Sequence, residues 1–244
     1  MPERVYLFDV DGTLTPPLAQ VAEDFAYVFL TWAEKNTVYL VTGSDLEKTR
    51  RQLFDSFIDQ CAGIFTCSGN VFYIDGKIVY ENALELPPGF IEDLELYLDE
   101  GSEWRNKTGN HIEIRQGMVN FSTVGRNSSD DMREAYQKWD QKFREREDIV
   151  DYIKNNYPQL EVAIGGQISV DIYPVGKNKA QVVEHLQQIH GENTSFVFVG
   201  DRNVPGGNDW PLAQRLEEID NCHWFPVSCY EETRALIEYS ELFI

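Results

Sequence analysis

The chain has 244 residues, 42% hydrophobic and 13% aromatic, which suits one large or two modest globular domains and excludes a disordered polymer. Its 41 acidic residues outnumber 21 basic ones, and the net charge of −20 argues against general nucleic-acid or membrane-surface binding. No apolar run approaches a membrane span, the N-terminus lacks a secretory pattern, and the four cysteines have neither metal-ligand spacing nor scaffold density, so the expectation is a cytoplasmic protein with free thiols.

Val5–Phe8 reads as a buried strand closed by Asp9, with Asp11-Gly12 in the loop beyond it. Asp11-Gly12 could instead be a hairpin turn, but the motifs further along the chain weaken that reading. Val21–Asn36 predicts a helix with Val21, Phe25, Val28, Phe29 and Trp32 on one face. Val38–Val41 is a second strand, ending at Thr42-Gly43-Ser44-Asp45. Ser44 or Asp45 then caps a helix through Leu53, with Lys48, Arg50 and Arg51 on its outer side. Ile64–Thr66 is a third strand, and Val71–Ile74, Asp75-Gly76 and Lys77–Tyr80 read as a hairpin.

After Pro87-Pro88-Gly89 the pattern changes. Residues 90–99 are helical, His111–Arg115 and Met118–Thr123 form a hairpin, and a charged helical stretch runs from about Ser129 to Asn156. Leu160–Ile164 and Gln167–Tyr173 form a second hairpin, so residues 82–173 read as an α+β insert with an antiparallel sheet. Strand–helix alternation then returns, with a helix over Lys179–Ile189, a strand over Ser195–Val199, a helix over Trp210–Glu218, a strand over His223–Val227 and a helix over Glu231–Tyr239. The expected architecture is an α/β, doubly wound, Rossmann-like core (1–81 and 174–244) interrupted by an α+β cap (82–173).

Four features gather at strand ends or helix starts. Asp9 and Asp11 are two carboxylates that can divide nucleophilic and proton-transfer roles. Thr42 or Ser44 offers a hydroxyl to a phosphoryl oxygen. Lys179 sits at a helix N-terminus, where a cation is out of place unless it and the dipole jointly hold an anion; otherwise such a lysine is a solvated surface residue. Gly200-Asp201 through Asn208-Asp209 is an acidic, glycine-rich loop, and carboxylates from two strand ends suit Mg²⁺. Alone, that loop would be an ordinary turn region.

Together these segments resemble the haloacid dehalogenase-type phosphotransferase superfamily, whose signature is an Asp-x-Asp-x-Thr strand end, a Thr/Ser strand end, a helix-borne Lys and a Gly-Asp…Asn-Asp loop. The resemblance implies Asp9 as nucleophile, Asp11 as general acid/base, and Mg²⁺ held by Asp9, the backbone carbonyl of Asp11, and Asp201. The insert carries Arg115-Gln-Gly-Met-Val-Asn120-Phe-Ser-Thr-Val-Gly125-Arg126, then Arg133, then Gly165-Gly-Gln-Ile-Ser169-Val-Asp171. Arginines bind phosphate bidentately, and Ser169 and Asp171 alternate onto one strand face; a lone surface arginine is more often an ion-pair partner.

These segments resemble the type C2b-like cap of eukaryotic-type phosphomannomutases. By that resemblance Arg115, Arg126, Arg133, Ser169 and Asp171 hold the non-reacting phosphate and the hydroxyls of a sugar phosphate. It further implies interconversion of mannose 6-phosphate and mannose 1-phosphate, activation by a hexose 1,6-bisphosphate, and a homodimer through the cap. The alternatives are a Mg²⁺-dependent sugar-phosphate phosphatase on the same scaffold and a non-catalytic sugar-phosphate binding protein. Three stretches depart from the family pattern. Leu18 replaces an arginine, Ser68-Gly69-Asn70 replaces Asn-Gly-Leu, and Ala213, Arg215 and Glu218 replace a secondary cation-binding stretch.

Overall fold

The computed structural model describes residues 4–17 and 19–243; Leu18, one of the three departures, lies outside them. The chain divides into two compact units, Met1–Glu81 with Asn178–Ile244, and Asn82–Lys177. The second crossing falls four residues later than the sequence places it. The cap's last strand runs on to Pro174, and the turn that closes it, Lys177 N–H to Pro174 O at 2.9 Å, belongs to the same unit.

The first unit is built on a seven-stranded sheet. Five strands are parallel: β1 (Arg4–Phe8), β2 (Thr37–Val41), β3 (Gly63–Thr66), β10 (Ser195–Gly200) and β11 (His223–Pro226). An antiparallel hairpin, β4 (Val71–Ile74) and β5 (Lys77–Glu81), extends one edge, giving the order β11-β10-β1-β2-β3-β4-β5. Its two-residue turn puts Asp75 at φ 50° and Gly76 at φ 70°, the double positive φ of a turn whose twist matches the strands.

β1 is apolar from Val5 to Phe8 because both of its faces are covered. Tyr6 and Phe8 join α1 (Glu23–Ala33), α3 (Asp55–Gln60) and α9 (Tyr230–Tyr239) in one core. Val5 and Leu7 join α7 (Gln181–His190) and α8 (Trp210–Glu217) in the other. Burying each such side chain is worth about 1.5–3 kcal/mol, and β1 is the middle one of the five parallel strands. The chain leaves β1 toward β2 on one side and has β10 on the other, so the strand order reverses at β1. In open α/β sheets that switch point is where ligands gather, at the strands' carboxyl ends.

α2 (Leu46–Gln52) starts where Asp45 accepts a hydrogen bond from Lys48 N at 2.7 Å, which selects Asp45 as the cap. The six-residue α3 has no counterpart in the sequence reading. Lys179 lies in the turn that leads into α7 rather than inside the helix.

The second unit carries a four-stranded antiparallel sheet of β6 (Ile112–Arg115), β7 (Met118–Phe121), β8 (Leu160–Gly165) and β9 (Ser169–Pro174), in the order β6-β7-β9-β8. The charged stretch forms two helices, α5 (Asp130–Phe143) and α6 (Glu145–Asn156), broken at Arg144 with φ 59°. Strand alternation gives the sheet two unlike faces. Val119, Phe121, Val162, Val170 and Ile172 pack on α6 and on α4 (Phe90–Leu96). The paired residues Glu113, Asn120 and Asp171 form one row across the opposite face.

Candidate active site

Asp9 follows β1 directly, and its backbone N–H donates to Val199 O at 3.0 Å, which ties it to β10. Its side chain is 6% exposed. Lys179, fully buried and no surface lysine, donates to Asp9 Oδ1 at 2.5 Å and to Asp209 Oδ1 at 2.6 Å. Asp209 is held from its other side by Arg202 N–H, at 2.9 Å from Oδ2. Carboxylate oxygens of Asp9, Asp201 and Asp209 all lie within 4.8 Å of one another. Gly12 completes the packing: its φ of +87° suits glycine, and a Cβ there would fall 2.7 Å from Asp201 Oδ2.

Asp9 and Asp209 therefore share one ammonium, while Asp201 Oδ2 pairs with Arg202 Nε at 3.2 Å, which leaves surplus negative charge across the three. Burial raises the Asp9 carboxyl well above its ordinary range; Lys179 opposes that, and the charges of Asp209 and Asp201 reinforce it. Burial, and then the Asp209 charge, push Asp201 up to about 7. Lys179 moves upward too: burial works against its charge, but Asp209 and Asp9 outweigh it and hold the ammonium protonated. A set of hard oxygen donors with surplus negative charge is what a divalent cation such as Mg²⁺ satisfies, so the residues present fit a metal. Asp209, inside the acidic loop but without an assigned role in the sequence reading, is part of the cluster.

Asp11 stands apart from that cluster. Its Oδ2 accepts from Lys48 Nζ at 2.7 Å and Ser44 Oγ at 3.1 Å, and its Oδ1 from Gln52 Nε2 at 2.8 Å. Lys48 also donates to Ser44 Oγ at 2.7 Å. The expectation of an outward-facing Lys48 is therefore corrected. Helical side chains lean toward the N-terminus, so Lys48 points back over Ser44, four residues earlier. Arg50 and Arg51 do face solvent. Thr42 is buried, and its Oγ1 accepts from Ser44 N at 3.1 Å.

In the second unit the polar sheet face gathers Arg115, Arg126, Ser169 and Asp171. Asn120 Nδ2 donates to Asp171 Oδ1 at 2.7 Å, and Arg126 Nη1 to Ser169 Oγ at 3.5 Å. Gly165 leaves room for Asp171, since a Cβ there would lie 2.4 Å from Asp171 Oδ2. Glu113, absent from the sequence reading, is 2.5 Å from Arg115 Nη2 and 3.5 Å from Arg126 Nε. Burial would raise its carboxyl, but the Arg115 hydrogen bond and the charges of Arg115 and Arg126 hold it below its usual range. Arg133 is buried and donates to backbone carbonyls, Ser128 O at 3.1 Å and Arg126 O at 2.7 Å.

Of the departures from the family pattern, Asn70 closes a tight turn by donating to Cys67 O at 2.7 Å, with Cys67 and Ser68 at φ 51° and 58°. Ala213 is buried, and Arg215 pairs with Glu218 at 2.9 Å. Among the described residues no helix is long and apolar enough to cross a membrane.

A doubly wound sheet with carboxylates at its switch point and an inserted antiparallel unit defines a haloacid dehalogenase-type protein. The same fold is seen in a haloacid dehalogenase-like hydrolase from Bacteroides thetaiotaomicron, with a TM-score of 0.58 and 12% identity, covering 97% of this chain and 98% of that one. Residues 25–237 match the eukaryotic phosphomannomutase family. The chain is 31% identical to the phosphomannomutase of Galdieria sulphuraria, over 97% of this chain and 96% of that one. It is 33% identical to the phosphomannomutase of Triticum aestivum over 94% of each. The chain belongs to the eukaryotic phosphomannomutase family, and it is an enzyme.

Proposed function

We propose that this enzyme interconverts mannose 6-phosphate and mannose 1-phosphate through an aspartyl-phosphate on Asp9. One observation carries the reading: two carboxylates two residues apart are held in unlike surroundings. Asp9 lies among a lysine and two acids, whereas Asp11 is engaged by Lys48, Ser44 and Gln52. Lys179, and the cation these acids would hold, offset the charge that a carboxylate nucleophile meets at phosphate, while the contacts on Asp11 orient a proton carrier.

Asp9 attacks phosphorus; the new bond is to its carboxylate oxygen, and the bond to the sugar oxygen breaks. Asp11 gives that oxygen its proton, and takes one back when the next hydroxyl attacks the aspartyl-phosphate. Lys179 holds Asp9 in place and offsets phosphoryl charge. Ser44 is committed to Asp11, which leaves Thr42 to donate to a phosphoryl oxygen. Asp9, Asp201 and the backbone carbonyl of Asp11 would hold Mg²⁺, with Asp209 placed to complete or steady the set. The ion supplies charge neutralisation that lets an anionic carboxylate approach phosphate.

Arg115 and Arg126 hold the phosphate that is not reacting, and Ser169 and Asp171 take sugar hydroxyls. Arg133 acts by fixing the Arg126 backbone. A hexose 1,6-bisphosphate primes Asp9, and the cytoplasmic homodimer joined through the cap belongs to the same proposal. The test is chemical: after incubation with glucose 1,6-bisphosphate and Mg²⁺, peptide mapping finds a hydroxylamine-sensitive phosphate on Asp9. A phosphate on any other residue, or none under conditions of full turnover, contradicts the reading.

A further inference from the structure

Both phosphates of a hexose 1,6-bisphosphate must visit Asp9 in turn if the proposed mutase reaction is correct, so the arginines must release one phosphate and accept the other in every cycle. Charge-assisted Arg–phosphate contacts are strong, and a guanidinium stripped of its anion in a partly buried site is costly. Release therefore needs a replacement anion at hand.

Glu113 is that anion. It lies two residues before Arg115 on the edge strand β6, so strand alternation places both side chains on one face. Its Oε2 reaches Arg115 Nη2 at 2.5 Å and Arg126 Nε at 3.5 Å, bridging the two guanidiniums assigned to phosphate. Its Oε1 accepts from Asn110 Nδ2 at 3.0 Å, a second anchor that does not involve the arginines. The Glu113 side chain is 28% exposed, against 8% for Arg115 and 13% for Arg126, so the carboxylate is the member of the trio with room to move. The other nearby acid has no such freedom. Asp171 is 3% exposed, fixed by Asn120 and packed against Gly165.

We propose that Glu113 is an internal counter-ion for the cap arginines, displaced by the substrate's phosphate and returning to Arg115 and Arg126 as that phosphate leaves. With Glu113 in place the charges of Arg115, Arg126, Glu113 and Asp171 cancel, and an incoming anion gains only what it wins from the carboxylate. The site thus holds its phosphate loosely enough to exchange it. A dianionic phosphoryl group competes well against one carboxylate. A sugar acid, offering another carboxylate, does not.

The test compares wild type with Glu113→Gln, Glu113→Ala and Arg126→Ala, reading the Kd for mannose 6-phosphate by calorimetry and kcat and KM for mutase turnover with activator. Both Glu113 variants are expected to bind mannose 6-phosphate about fivefold more tightly, the scale of removing a partly exposed competing ion pair. Their kcat falls together with KM, because exchange slows, whereas a carboxylate that merely positions the arginines would raise KM when removed. Arg126→Ala is expected to weaken binding. Unchanged or weaker binding in both Glu113 variants, with Arg126→Ala also weakened, overturns the proposal and leaves the arginine site standing. If Arg126→Ala binds as wild type, the arginine site itself is wrong and the proposal falls with it.

Discussion

The two polar clusters of this enzyme handle charge in opposite ways. In the first unit Asp9 and Asp209 share Lys179 while Asp201 meets Arg202 at 3.2 Å, so three acids face two cations. The carboxyls of Asp9 and Asp201 are pushed upward by burial and by neighbouring acids. In the second unit Arg115 and Arg126 meet Glu113, and Asp171 lies in the same row of the sheet face as Glu113, so two acids balance the two arginines. One cluster carries surplus negative charge. The other carries its own counter-ion. Chemistry on phosphate needs the first, because charge must be supplied where bonds change. Repeated grasp and release needs the second.

The comparison breaks most sharply at Asp9. Asp9→Asn removes the proposed nucleophile with little change of shape and should abolish turnover of mannose 1-phosphate and of p-nitrophenyl phosphate alike, a loss of roughly 10⁴-fold or more, read by steady-state assay. Arg126→Ala should separate the clusters. It should cost about 2–4 kcal/mol in kcat/KM for sugar phosphates, and far less for p-nitrophenyl phosphate, which has no second phosphate. Equal losses on both substrates would make the arginines structural.

Lys48→Met probes the proposed proton carrier, Asp11, without touching Asp9, Asp201 or Asp209. It should lower kcat for sugar phosphates by roughly 10–100-fold through misplacement of Asp11, and spare p-nitrophenyl phosphate, whose leaving group needs no proton. Arg133→Ala should act mainly on stability, at about 1–3 kcal/mol from orphaned backbone carbonyls, seen as a lower denaturant midpoint.

The smallest effect concerns protons and metal. Asp9 and Asp201 bind a proton more tightly in the folded chain than in the unfolded one. That contribution to stability is present in full below the ordinary carboxylate pKa, and it is lost as pH rises through about 7. A Mg²⁺ ion held by these carboxyls would compete with those protons. Its stabilisation, about 5–10 °C in Tm near 100 times its Kd, should therefore be larger at pH 8 than at pH 5. A Tm increment that is the same at both values would place the metal elsewhere.

Much of this is legible in the chain. The apolar runs of β1, β2 and β10 are continuous because both sheet faces are covered, and each is followed directly by a residue of the proposed site: Asp9, Thr42 and Asp201. The hairpin at Asp75-Gly76 announces its own turn. What escapes reading lies in contacts rather than patterns. Asp55–Gln60 is too short to show a helical period. Charge alone sends Lys48 outward, although its spacing of four from Ser44 points it at the site. Asp209 joins Lys179 through a loop that has no periodicity, and Glu113 carries its signal in plain sight, two residues from Arg115 on one strand face.

The most direct test of the central claim is a product balance. The protein is incubated with mannose 1-phosphate and Mg²⁺, with and without glucose 1,6-bisphosphate, while mannose 6-phosphate and free phosphate are measured side by side. A mutase working through Asp9 yields mannose 6-phosphate in excess over free phosphate, with the activator accelerating its formation. Free phosphate released at the full turnover rate, with no mannose 6-phosphate even when activator is present, would contradict it.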